Sequence, residues 1–160
     1  MLLLFPLVVF ILLSLLSLFA VTSTATTTFA IPVDRTTIVM DNWNLKRFSS
    51  TIYGITSDFS GNIYFVEHDG NKIGRLSPAT NTLTEWVIPT NSSGPIGVAF
   101  DSSSGNLYFA ENNTNKIGRL VLSTNTFTEW AIGYNPLTIF IDSSGSFYFI
   151  GGGGILGRLG

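Results

Sequence analysis

The sequence predicts an all-β fold, a β-propeller built of four-stranded blades with a period of about 44 residues, and three observations predict it. The stretch GNIYFVEHDGNKIGRL, Gly61 to Leu76, returns 44 residues later as GNLYFAENNTNKIGRL, Gly105 to Leu120, and more weakly as GSFYFIGGGGILGRLG from Gly145 to Gly160. The duplication continues through TNTLTEWVI (Thr80 to Ile88) and TNTFTEWAI (Thr124 to Ile132), so nearly a whole period is repeated. Each period holds four short apolar runs bounded by Gly, Asn, Ser or Pro, the pattern of one blade. Blades are expected at about 52–93 and 94–133, with an incomplete third at 134–160. Closed propellers carry about four to eight blades, so about three are expected to be part of a larger ring, and the third repeat stops where its next strand should begin.

Within the second repeat the strands follow from composition. PIGVAF (Pro95 to Phe100) is the first, ended by a turn over Asp101 to Gly105, and NLYFAE (Asn106 to Glu111) is the second. A turn at 113–115 leads to KIGRL (Lys116 to Leu120), and TFTEWAI (Thr126 to Ile132) is the fourth. Aromatic and β-branched residues fill them, as strands favour. Consecutive apolar residues from Leu107 to Ala110 predict burial of both faces, which stacked blades require. Gly61, Gly105 and Gly145 are expected to supply a positive φ in the first turn of each blade. Gly74, Gly118 and Gly157 are expected to leave room for a neighbouring sheet. The run Gly151 to Gly154 lacks the strand-then-helix context of a phosphate loop. Upstream, Thr37 to Phe48 reads as an incoming fourth strand, because Trp43 precedes Gly54 by 11 residues, as Trp86 precedes Gly97.

Residues 1–30 read as a signal peptide or N-terminal anchor. No charged side chain precedes Asp34, and an apolar run extends from Leu2 to Ala20. Cleavage after Ala30 would leave Ile31 first, with Ala25 as the second choice; a retained run would anchor the domain in a membrane. The expected location is therefore secreted or extracytoplasmic. The absence of cysteine excludes disulfides and thiolate metal sites. Eight basic and ten acidic residues, scattered singly, argue against a nucleic-acid surface. Asn91 and Asn112 lie in glycosylation sequons.

A residue repeated in every blade serves a need common to blades. Arg75, Arg119 and Arg158 are accordingly read as structural, pairing with a carboxylate or carbonyl, and Trp86 and Trp130 as packing residues. In an up-and-down blade, the loop between strands two and three and the loop to the next blade emerge on one side. That side carries Glu67, His68, Asp69, Glu111 and Asn112, the expected ligand-binding face. A small molecule, peptide or glycan is the expected partner there. Glu67, Glu111 and His68 are the catalytic candidates, and Glu67 and Glu111 weak metal candidates. One histidine gives little support to a catalytic triad. Two blade faces left uncovered, rich in Phe, Tyr, Ile and Leu, predict self-association.

The phrases GNIYFVE, NKIGRL, TLTEW and IPTNSSGP resemble the virginiamycin B lyase (streptogramin lyase) family of β-propellers, over Ile52 to Leu159. The resemblance implies a seven-bladed ring and a carbon-oxygen lyase that opens the ester of a cyclic depsipeptide by Mg-dependent elimination, needing a base and a cation for the oxyanion. It also implies that Glu67 and Glu111 match the family's strand-end glutamates. The family's catalytic histidines are not matched: Tyr53, Ile96 and Leu137 stand in those places. The expectation is a non-catalytic exported binding module, with part of a lyase-like enzyme as the alternative.

Overall fold

The computed structural model describes residues 50–159, so the leader, the Ile31 terminus and the strand expected at Thr37 to Phe48 lie outside the described residues. Eleven strands form three antiparallel sheets. The first sheet holds β1 (Ile52–Ser57), β2 (Ile63–Glu67), β3 (Lys72–Ser77) and β4 (Thr82–Val87), and the second β5 (Pro95–Asp101), β6 (Asn106–Glu111), β7 (Lys116–Val121) and β8 (Thr126–Ala131). The third holds β9 (Pro136–Ile141), β10 (Phe147–Gly151) and β11 (Ile155–Leu159). Neighbours in sequence pair within each sheet, the meander expected of a blade. The four strands read from the second repeat are all present, with ends moved by at most one residue.

Turn chemistry explains the meander. Asp58, Asp101 and Asp142 end or follow the first strands and accept backbone N–H groups two residues on, from Ser60 at 2.8 Å, Ser103 at 2.9 Å and Ser144 at 2.8 Å. Gly61, Gly105 and Gly145 then take φ of 79°, 71° and 80°, as the sequence predicts. Asparagine, which tolerates the left-handed region, does the same at the later turns: Asn71 and Asn115 before β3 and β7, Asn81 and Asn125 before β4 and β8.

Two cores lie between the sheets. Tyr64, Val66 and Ile73 of the first sheet pack on Val98, Leu107, Phe109 and Leu120 of the second. Ala110 and Ile117, on the other face of the second sheet, pack on Ile139 and Phe149 of the third. The second sheet is therefore buried on both faces. Close approach of the inner strands depends on glycine: a Cβ on Gly54 would lie 2.6 Å from the Ile96 carbonyl oxygen, and one on Gly97 would lie 2.7 Å from Thr138 Cα.

Two expectations about repeated residues are corrected. Gly74, Gly118 and Gly157 make room for Phe65, Phe109 and Phe149 of the adjacent strand in their own sheet rather than for a neighbouring sheet; a Cβ there would overlap the ring. Among the described residues, Arg75 and Arg119 pair with neither a carboxylate nor a carbonyl. Each donates to a fourth-strand threonine, Thr84 or Thr128, at 3.2 Å, and lies over a fourth-strand indole, Trp86 at 5.7 Å or Trp130 at 5.4 Å. Trp86 also donates from Nε1 to Asn125 Oδ1 of the second sheet at 2.8 Å.

Candidate functional site

The β2–β3 and β6–β7 turns and the connectors between sheets emerge at one end of the strands. Glu67 and Glu111 are the last residues of β2 and β6, and both are buried, 1% and 0% exposed. Strand alternation separates them. Glu111 shares a face with Leu107 and Phe109, which meet the first sheet, whereas Glu67 shares a face with Phe65, opposite the Tyr64 and Val66 face that meets the second. The first sheet thus stands between the two carboxyls.

Each glutamate belongs to a repeated cluster. Lys116 lies opposite Glu111 in the β6–β7 pairing, and its Nζ is 3.3 Å from Glu129 Oε2 and 2.7 Å from Thr90 Oγ1. Thr90, in the connector between sheets, donates its N–H to Glu129 Oε1 at 3.1 Å and its hydroxyl to Oε2 at 2.6 Å. Those bonds, with Lys116, hold the Glu129 carboxyl below the usual range although burial alone would raise it. Glu111 receives less, a single 3.3 Å bond from the Thr114 hydroxyl. Burial first, and the Glu129 charge second, push its carboxyl up to about 7 against Lys116 and Thr114. The first sheet repeats the pattern with Lys72 3.3 Å from Glu85, and burial, then Glu85, raise Glu67 to about 7. Oε1 of each raised glutamate has no hydrogen-bond partner among the described residues.

A carboxyl titrating near 7 has the basicity of a general base, but both of these side chains are buried. Nor do they fit Mg²⁺, which takes several oxygen ligands in octahedral geometry. Glu67 and Glu111 are on opposite faces of one sheet, and among the described residues no group of three or more His, Asp or Glu could hold a metal ion.

The accessible part of this end is different. His68 Nδ1 lies 2.8 Å from Asp69 Oδ1, and Asp69 Oδ2 accepts the Thr51 hydroxyl at 2.8 Å. The His68 bond first, then Thr51, hold the Asp69 carboxyl below its ordinary value. The Tyr53 ring stands edge-on to His68 with centroids 5.2 Å apart. Tyr53, Ile96 and Leu137 head the three adjacent inner strands β1, β5 and β9, with Tyr53 and Leu137 exposed, and Tyr134 is exposed in the last connector. Asn112 is committed to structure, donating from Nδ2 to the Pro136 carbonyl at 3.2 Å, and its sequon is tied into that contact. Sequence reasoning missed Lys72, Lys116, Glu85, Glu129 and Thr90 as partners of the glutamates. The recurrence of Lys and Glu at fixed positions of the repeat is the signal that could have found the first four.

No protein-family model and no curated protein matches the sequence. Solved structures do match. Virginiamycin B lyase from Staphylococcus aureus is 24% identical over 72% of this chain and 43% of its own, with a TM-score of 0.61. A streptogramin B lyase is 29% identical over 68% of this chain and 40% of its own, at 0.58. The fold is that of part of a streptogramin lyase propeller. A catalytically inactive histidine-to-alanine variant of the S. aureus lyase with quinupristin is 24% identical over 69% of this chain and 41% of its own, at 0.58. The chain thus spans less than half the length of these lyase propellers.

Proposed function

We propose that this protein is a streptogramin-lyase-like propeller whose strand-end face binds an amphipathic cyclic peptide or similar small molecule without turning it over. The observation that carries the reading is the row of Tyr53, Ile96 and Leu137 heading three adjacent inner strands, beside the His68–Asp69 pair. An apolar floor with few polar groups suits a ligand that is mostly hydrocarbon with scattered amides. The same three positions offer no imidazole to take a proton next to a carbonyl, and the basic carboxylates, Glu67 and Glu111, are buried.

A second reading, a Mg-dependent lyase, is favoured by the 29% identity to a streptogramin B lyase. It requires a base and a metal held by groups outside residues 50–159.

Quinupristin, seen with the S. aureus lyase variant, is the probe. Titration calorimetry of the full chain is expected to show binding, weakened roughly tenfold or more in Tyr53→Ala, as for an aromatic anchor. Mass spectrometry is expected to show the ester intact with Mg²⁺ present. Mg-dependent ester opening defeats the binding reading in favour of the lyase. Absence of binding defeats the ligand class.

A further inference from the structure

His68 is the single histidine of the chain, and the turn between β2 and β3 holds it in one place. Its N–H donates to the Thr51 carbonyl at 2.9 Å, and two residues on, the Gly70 N–H donates to Ser50 Oγ at 2.8 Å, so the turn is pinned to the residues just before β1. Asp69 is held by the same segment: its Oδ2 accepts the Thr51 hydroxyl at 2.8 Å and the Thr51 N–H at 3.4 Å. Its other oxygen, Oδ1, is left for His68 Nδ1, 2.8 Å away. The Tyr53 ring, 57% exposed, stands edge-on to the imidazole.

These contacts decide which ring nitrogen carries the proton. An ionised carboxylate can only accept hydrogen bonds, and the bonds from His68 and Thr51 keep Asp69 ionised. Nδ1 is therefore the N–H, and in the neutral ring Nε2 is the acceptor. No described residue donates to Nε2. Its neighbours on this face are the Tyr53 ring and the hydrocarbon of Ile96 and Leu137, while the Asn112 amide is already committed to the Pro136 carbonyl.

We propose that His68 Nε2 is the hydrogen-bond acceptor of the strand-end face and that Asp69 is its positioning residue, so that the face selects a ligand presenting a free N–H or O–H beside an aromatic or apolar group. Resting on the binding reading above, the assignment narrows its ligand class. A cyclic peptide with an unmethylated amide N–H next to an aromatic side group fits; one whose amide there is N-methylated does not. A site built to accept a hydrogen bond rejects an analogue that lacks the donor, because the acceptor is left unpaired. The His68 side chain is 27% exposed, so water partly replaces a lost donor, and the discrimination is about tenfold, far below that of a sealed site.

An asparagine at position 69 tests the positioning role. In Asp69→Asn the two Thr51 donors keep the oxygen, so the NH2 group turns to His68, Nδ1 becomes the acceptor and the proton moves to Nε2. With one histidine in the chain, the two-bond proton–nitrogen spectrum of the untagged full-length protein contains a single imidazole. At pH 8 it is expected to show the Nδ1–H form, and the Nε2–H form in Asp69→Asn. An Nε2–H or doubly protonated ring in the unsubstituted protein overturns the assignment. Titration calorimetry with quinupristin is expected to give an affinity about tenfold lower in Asp69→Asn and in His68→Phe. Binding that is lost in Tyr53→Ala but unchanged in those two variants overturns the assignment and leaves the binding reading standing. Absence of quinupristin binding in the unsubstituted protein defeats that reading instead, and benzamide against N,N-dimethylbenzamide then decides. A shift of the Nε2 resonance with benzamide alone supports the assignment; equal shifts, or none, overturn it.

Discussion

Replacing Glu111 by glutamine is expected to stabilise the protein at pH 8. The residue is fully buried, and burial with the Glu129 charge raises its carboxyl from about 4.5 to about 7. A group whose folded pKa lies above its unfolded value favours the fold in its protonated form. The contribution is complete below the ordinary carboxylate range and is lost as pH rises through the folded value. A difference of about 2.5 units corresponds to about 3 kcal/mol. The unsubstituted protein should therefore lose about this much between pH 4.5 and 7.5 from Glu111, with a further loss from Glu67, whose carboxyl is raised in the same direction. Asp101 acts oppositely: bonds from Ser104 and Ser103 outweigh its desolvation and lower its carboxyl, so its contribution is lost on acidification below the ordinary range. Stability is expected to peak near pH 5. Glutamine keeps the shape of Glu111 and can accept the Thr114 hydroxyl, but carries no charge to desolvate. Urea unfolding at one fixed protein concentration, followed by tryptophan fluorescence, should show Glu111→Gln about 2–3 kcal/mol more stable at pH 8 and nearly equal at pH 4.5. A loss of stability at pH 8, or a flat profile for the unsubstituted protein between pH 4.5 and 7.5, refutes the reasoning.

Two glycines of the second blade should separate steric from conformational cost. Gly118→Ala drives a methyl into the Phe109 ring and should cost about 3 kcal/mol or more, whereas Gly105→Ala, with open space but φ of 71°, should cost about 1 kcal/mol in the same urea assay. Equal costs would mean that the β6–β7 packing is not as described. Asn71 accepts the N–H and hydroxyl of buried Ser93 at 2.8 and 2.7 Å and donates to the Ile88 and Thr90 carbonyls, so Asn71→Ala should cost about 2–4 kcal/mol and loosen the connector between the first two sheets. Unchanged hydrogen exchange at residues 88–94 in that variant would show that the connector is held by something else.

The architecture was legible because it is written twice. Strand boundaries, the Asp and Gly turns and the two-faced burial of Leu107 to Ala110 depend on local backbone preference and a period of two, and a repeat exposes both without any knowledge of neighbours. The apolar run from Leu2 to Ala20 and the Trp43 alignment are likewise features of sequence alone. The glutamates could be found by position, at the ends of β2 and β6, but not understood. Whether a strand-end carboxyl opens to solvent or turns into a sheet interface depends on which face of the strand meets the next blade. Only packing settles that: Glu111 follows Phe109 into the contact with the first sheet, and there Glu129, Lys116 and Thr114 surround it. The arginines and third-strand glycines taught the same lesson. Repetition marked them as structural, but their partners, a threonine hydroxyl with an indole and an adjacent phenylalanine ring, are set by cross-strand register, which brings together residues nine or eleven apart in the chain.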